Sequence, residues 1–332
     1  MRVAVVQPLP GIGDMVWHLP HIRAIAAHLG QPVTLIAKPR SLADQLWAGD
    51  PAVADILWVD LNPSGRLGRH DGPLGFVRLT RDLRARRFDK MVLLHHSHTL
   101  AAAAWLAGIP DRRGYGWGTQ RWFLSGGPFL PPEAADLHQH TRATRFLAAA
   151  GIPLPSAEPH FAVTAVESAE ARAQLAPPPG PFVAVGIGSS ETSRQAGTGK
   201  LAALAGALLG AGWPSIVLLG GPDDNALADG IRAALGPLAA RAVPVLGWHM
   251  RQTAALLGAS AFYVGNNTGV MNLAAAVGVR TYALFGTTPP FHHASQILPI
   301  LSPPGGPDDG MARLAVAAVL AAIESDRGGL AP

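Results

Sequence analysis

The stretch Phe262-Tyr263-Val264-Gly265-Asn266-Asn267-Thr268-Gly269-Val270-Met271-Asn272-Leu273-Ala274-Ala275-Ala276 passes from an apolar run, through a small polar turn, into an Ala-rich run. It reads as a strand that ends in a turn and continues as a helix. At such a junction the first backbone N–H groups of the helix have no partners inside it, so an anion can bind there. The Thr268 hydroxyl lies at the same helix start. A second strand end, Phe285-Gly286-Thr287-Thr288-Pro289, supplies a neighbouring loop.

The same rhythm runs through the rest of the chain. In the first half, strand-like runs at 3–7, 32–37, 56–59 and 91–94 alternate with helical runs at 15–28, 41–48 and 99–107. In the second half, strands at 182–186, 215–219 and 261–264 alternate with helices at 200–209, 225–235 and 269–277. Strands alternating with helices predict parallel sheets covered by helices. Proline clusters at 151–155 and 177–181 interrupt regular structure between the two halves. The expected organisation is an α/β chain with a first domain at 1–165, a Pro-rich linker at 166–181 and a second domain at 182–332. In open α/β sheets ligands bind outside the carboxyl ends of the strands, which directs attention to the loops there.

Composition fits this picture. The 332 residues are 48% hydrophobic and 14% charged, with 38 Gly and 30 Pro, so two cores can form between many tight turns. No cysteine is present, which excludes disulfides and thiolate chemistry. The net charge of +4 argues only weakly for a polyanionic partner, and no nucleic-acid partner is expected. Arg78, Arg81 and Arg84 fall near one helical face within a basic stretch that also holds Arg86, Arg87 and Lys90. A solvated helix face is the favoured reading of that stretch, with contact to anionic lipid or saccharide as the alternative. The N-terminal run reads as a first strand rather than a signal peptide, and the apolar run at 100–109 is shorter than the roughly 18 residues of a spanning helix. A cytoplasmic chain is expected, with peripheral contact to the inner membrane left open.

Four loops could carry chemistry. Pro8-Leu9-Pro10-Gly11-Ile12-Gly13-Asp14 follows the first strand, yet Val16 and Ala37-Lys38-Pro39 stand where a dinucleotide fingerprint needs a small and an acidic residue. Asp14 reads either as a helix N-cap or as a general base for an attacking hydroxyl, and both roles can coexist. Gly186-Ile187-Gly188-Ser189-Ser190-Glu191-Thr192-Ser193-Arg194 combines hydroxyls with a cation, suited to a diphosphate or to an ordinary turn. Gly220-Gly221-Pro222-Asp223-Asp224 offers a carboxylate that could accept from a ribose or merely cap a helix. The fourth is the Asn267–Thr268 turn. His95, His96 and His98 invite a metal reading, and alternation would put His96 and His98 on one face. No carboxylate motif joins them, so no metal is expected and contact with an acceptor is the competing role.

With these residues in view, the chain resembles the lipopolysaccharide heptosyltransferases of glycosyltransferase family 9. The segment 265–290 is similar to the family's strand, Asp-Thr-Gly, His, Ala-rich helix and Phe-Gly-Pro-Thr pattern. Gly11-Ile12-Gly13-Asp14, Gly220-Gly221-Pro222 and the segment 88–115 resemble the family as well. The resemblance implies two facing Rossmann-like domains with parallel sheets, the GT-B architecture, with the acceptor on the first and the nucleotide-sugar donor on the second. It implies Asp14 as catalytic base; Ser189, Ser190, Arg194, Asp224, Asn267, Thr268, Gly269 and Asn272 at the donor; and Gly13, His96 and His98 at the acceptor. No cofactor is implied beyond a nucleotide-diphosphate sugar as co-substrate. Asn267 and Asn272 stand where the family usually has Asp and His, and Arg194 where it usually has Lys.

The expected function is inverting, metal-independent transfer of a sugar, with heptose from ADP-heptose as the first candidate. The acceptor would be a lipopolysaccharide-type or other saccharide, free or lipid-linked. A nucleotide-sugar-binding protein that has lost transfer through its two amides, and a sugar-nucleotide epimerase on the same fold, are the rival readings.

Overall fold

The computed structural model describes residues 1–62, 66–175, 180–189, 191, 194–290, 293–305 and 310–332. Backbone contacts divide the chain into two units, Met1–Pro159 and His160–Pro332.

The first unit runs β1 (Val3–Gln7), α1 (Ile12–Leu29), β2 (Val33–Ala37), α2 (Ala43–Leu46), β3 (Val53–Trp58), α3 (Gly72–Arg86), β4 (Lys90–Leu93), α4 (His98–Leu106), β5 (Asp111–Arg113) and α5 (Gln139–Ala149). Its five strands are all parallel, in the order β3-β2-β1-β4-β5. Strand β1 is buried from end to end, as a central strand covered on both faces must be. On one face Ala4, Val6, Met91 and Leu93 pack against Leu79 and Leu83 of α3 and Leu100, Ala101 and Ala104 of α4.

The second unit runs α6 (Ala165–Ala173), β6 (Phe182–Gly186), α7 (Thr198–Gly210), β7 (Ser215–Gly220), α8 (Asn225–Leu235), β8 (Ala242–Leu246), α9 (Met250–Gly258), β9 (Tyr263–Asn266), α10 (Gly269–Ala276), β10 (Thr281–Phe285), β11 (Ile297–Leu301) and α11 (Val316–Arg327). Its six parallel strands follow β8-β7-β6-β9-β10-β11. Counted within the unit this is 3-2-1-4-5-6, and the first unit is 3-2-1-4-5, so each is Rossmann-like. In each sheet the strand order reverses beside the first strand, which puts the crevice of interest at the β1/β4 ends and at the β6/β9 ends.

Several elements differ from the sequence expectation. Helix α1 begins at Ile12 rather than 15, because Gly11 supplies the N-cap. The run at 41–48 is broken: a 3-10 turn at Pro39–Ser41 ends at Leu42, whose φ of 50° stops a continuous helix. Strand β9 lies two residues later than expected, because the amide of Asn266 is satisfied inside the sheet. Within the segment 166–181, residues up to 173 belong to α6, which opens on Thr164 with Glu167 bonded back to its N–H at 2.8 Å. Helix α6 is tied to α9 by the Glu167–Arg251 ion pair at 2.6 Å. Residues 176–179 of that segment lie outside the described residues. Among the described residues no helix is long and apolar enough to cross a membrane.

Candidate functional site

In the first unit the β1–α1 turn carries Asp14. Asp14 is the third residue of α1 rather than its N-cap, and its Oδ2 accepts from the Gly11 N–H at 3.0 Å. A Cβ on Gly11 would stand 2.6 Å from that oxygen, so glycine leaves the room for this contact. Gly13 is buried in the first turn. Behind Asp14, the fully buried His18 has Nδ1 2.6 Å from the Asp14 carbonyl oxygen. Nδ1 therefore carries the proton and donates it, an assignment made from the hydrogen-bond geometry. The Nε2 of His18 is buried without a partner among the described residues, and burial lowers its pKa to about 4, so the ring is neutral at pH 7. Gln7, at the end of β1, accepts from the Leu9 N–H at 3.1 Å and shapes the turn.

Next to β1, the end of β4 leads to the other histidines. His95 and His96 stack at 4.5 Å between ring centroids, and the His95 backbone oxygen accepts from Gln120 Nε2 at 2.7 Å. Burial, aided by the neighbouring His96, lowers the pKa of His95 to about 3. Burial first, then Arg142 and His98, also lowers that of His96. The expected alternation of His96 and His98 does not occur. The strand stops at Leu93, Ser97 caps α4 by accepting from the Leu100 N–H, and His98 is already helical. Among the described residues no group of three or more His, Cys, Asp or Glu is placed to hold a metal ion.

In the second unit β6 and β9 run side by side and their loops meet. Gly186 pairs with Gly265, and a Cβ on Gly265 would stand 2.5 Å from the Gly186 carbonyl oxygen. One step on, the fully buried Asn266 holds the loop after β6. Its Nδ2 donates to the Ile187 oxygen at 2.9 Å and the Gly188 oxygen at 3.3 Å, while its Oδ1 accepts from the Ala196 N–H at 3.0 Å. Thr268 caps α10. Asn272 donates to the Thr268 carbonyl at 3.0 Å, one turn back.

Asn267 is 5% exposed and its Nδ2 has no partner among the described residues. It lines a pocket of about 250 Å³, part of it open to solvent, with Arg194, Gly286, Thr287 and Thr288 and with Leu284 and Met311 as its apolar wall. Arg194 is held by Glu191 at 3.0 Å, and the Ser189 hydroxyl donates to the Glu191 carbonyl at 2.9 Å. Ser190 lies outside the described residues. Asp224 precedes α8, and its carboxylate accepts from the Gly221 N–H at 2.7 Å. It stands against Gly188, where a Cβ would come within 2.1 Å of it.

The structure thus brings Arg194, Asn267 and the Thr287–Thr288 loop to one pocket, and sets Asp224 beside Gly188 at the neighbouring strand end. Sequence reasoning missed Asn266 and His18. The signal for Asn266 was an amide directly after an apolar strand run, since a polar group there must find buried partners. His18 carried no comparable signal, because one histidine in an apolar helix resembles any other.

In the second of the two Rossmann-like units, a cation and an unpartnered amide beside a helix start are groups of the kind that can hold an anion. The profile of glycosyltransferase family 9 (heptosyltransferase) matches residues 76–299, more than half of the chain. The chain belongs to glycosyltransferase family 9, and it is a glycosyltransferase. Among solved structures it is similar to E. coli ADP-heptose LPS heptosyltransferase II, at TM-score 0.77 and 21% identity over 98% of each chain. It is also similar to a family 9 glycosyltransferase from Veillonella parvula, at TM-score 0.79 and 17% identity over 98% of this chain and 96% of that one. E. coli heptosyltransferase WaaC with ADP-2-deoxy-2-fluoro heptose aligns at TM-score 0.74 and 18% identity over 98% of this chain and all of the other. At these identities the likeness is one of fold. No match was found among the curated proteins.

Proposed function

We propose that the chain transfers a sugar from a nucleoside-diphosphate sugar to a saccharide hydroxyl with inversion, and that ADP-heptose and a lipopolysaccharide-type acceptor are the first pair to test. One observation carries the reading: the buried, unpartnered amide of Asn267 lines the same pocket as Arg194 at the start of α10. A buried N–H without a partner is costly to the folded protein unless a ligand completes it. A diphosphate oxygen is such a ligand.

An acceptor oxygen bonds to the anomeric carbon while its proton passes to the Asp14 carboxylate. The bond from that carbon to the diphosphate breaks, and its electron pair leaves with the nucleoside diphosphate. Arg194, the Asn267 amide and the N–H groups at the start of α10 meet the charge that develops there. In this reading the diphosphate is held by these donors directly, without a bridging cation. Asp224 would receive the ribose and the His96–His98 turn the acceptor.

The test is a screen of ADP-, GDP-, UDP- and dTDP-sugars by thermal shift, followed by product analysis with saccharide acceptors. A shift with one donor, transfer with inverted stereochemistry and loss of transfer in Asp14→Ala are expected. Unchanged transfer in Asp14→Ala removes the base. An epimerised sugar formed without acceptor shows an epimerase. Tight binding with no product from any acceptor shows a binding protein.

A further inference from the structure

The arginine stretch of α3 plays no part in the proposed transfer, and the structure changes how it reads. Leu79 and Leu83 turn inward, while Leu74, Val77, Arg78, Arg81 and Arg84 are exposed at spacings that form one stripe. Helix α4 packs beside α3, and the Arg84 guanidinium donates to the Leu106 carbonyl at 2.5 Å. Trp105 and Leu106 are therefore exposed next to the arginines. The turn at Gly118–Phe123 packs on α4, with the Trp105 and Phe123 rings 6.0 Å apart, and carries exposed Arg121 and Trp122.

A solvated helix face explains the arginines but not the apolar side chains among them. Nine large hydrophobic residues are exposed among the described residues, and six of them lie between Leu67 and Trp122. Trp122 is 78% exposed and Leu74 is 74% exposed. Such concentration marks a surface that meets something else.

The charges select what it meets. The acids around this face are engaged: Asp82 with Arg69 at 2.8 Å, Asp55 with Arg86 and Asp111 with Lys90 at 3.2 Å. Arg78, Arg81, Arg87 and Arg121 have no ion pair among the described residues, so guanidinium groups without an acidic partner lie on the same neighbouring elements as the exposed tryptophan and leucine side chains. Guanidinium groups suit phosphate headgroups, tryptophan suits the boundary between headgroup and acyl chain, and leucine suits the apolar layer below it. We propose that the α3–α4 face of the first unit docks on an anionic phospholipid bilayer, lying on the surface without crossing it. This surface is independent of the transfer reaction proposed above, and either can fail without the other.

The test is cosedimentation of the full chain with phosphatidylcholine vesicles, with and without phosphatidylglycerol, across a salt series. Binding only to the phosphatidylglycerol vesicles, weakened by salt, is expected. Each arginine near an anionic surface contributes roughly fivefold in partitioning, so Arg78→Glu with Arg81→Glu should weaken binding by more than about 25-fold. Trp105→Ser with Trp122→Ser should weaken binding to the same vesicles while leaving the thermal melt and nucleotide-sugar binding unchanged. Equal binding to both vesicle types overturns the proposal, as does wild-type binding by the arginine variant. A lipid-free dimer that the tryptophan pair dissolves would also overturn it, because the face would then be covered by a second copy.

Discussion

Replacing Asn266 by Ala tests whether the loop after β6 must be held for the donor to bind. One buried side chain joins both ends of that loop to β9 through bonds of 2.9, 3.3 and 3.0 Å. Truncation leaves the Ala196 N–H and the Ile187 carbonyl without this partner, and both residues are buried. An orphaned buried group costs about 1–3 kcal/mol, and the long contact to Gly188 adds little, so the total for the two groups is about 2–6 kcal/mol. That energy can appear in two places. If the loop stays in position, the melting temperature of the second unit falls by roughly 5–25 °C. If the loop detaches and water satisfies the freed groups, the melt moves less and donor affinity falls instead, by about 100-fold for 2.7 kcal/mol. Thermal denaturation, donor titration calorimetry and hydrogen exchange at the Ala196 amide separate the two outcomes. Asn266→Asp keeps an acceptor for Ala196 but presents oxygen to two carbonyls, so it should rescue little. A variant with wild-type melting, donor affinity and Ala196 exchange would refute the reasoning.

Three further outcomes are expected. Gly265→Ala forces a Cβ to within 2.7 Å of the Gly186 Cα and N, so it should destabilise the second unit by about 3 kcal/mol, read by urea denaturation. Arg194→Ala should lower kcat/KM for the donor by about 100-fold, with partial recovery in Arg194→Lys, because the pocket loses its cation; steady-state kinetics with an unchanged value would exclude Arg194 from the donor site. For His18 the folded pKa of about 4 lies below the unfolded value of about 6.5, so its contribution to stability is present above pH 6.5 and is lost as pH falls toward 4. Between pH 7 and 5 that loss is about 2 kcal/mol from His18, and His95 and His138 act in the same direction. Urea denaturation of the full chain over this range should show the slope, and His18→Asn should reduce it.

Much of the fold was legible because a buried parallel strand and a helix leave different patterns. The strand at 182–186 and the helix at 225–235 appear where the sequence places them, since apolar runs bounded by Gly and Pro leave few alternatives. The break near Leu42 was not legible, because a leucine at positive φ violates its own local preference and is held by its surroundings. The histidine run misled for a related reason: alternation presumes a strand, and Ser97 had already capped a helix.

Taken alone, the amino-acid sequence determined two halves of alternating strands and helices, the turn at Asn267–Thr268 and Asp14 at the head of a helix, because these rest on local pattern and short-range backbone chemistry. Only the tertiary structure decided that Asn266 ties Ile187, Gly188 and Ala196 after β6 to β9, and that the Asn267 amide is left unpartnered among the described residues beside Arg194. It likewise decided that Arg84 of α3 reaches the end of α4, where Trp105 and Leu106 stay exposed. The physical reason is common to all three. Whether a polar atom is satisfied, or an apolar one covered, depends on neighbours brought together from distant parts of the chain, and no local pattern records them.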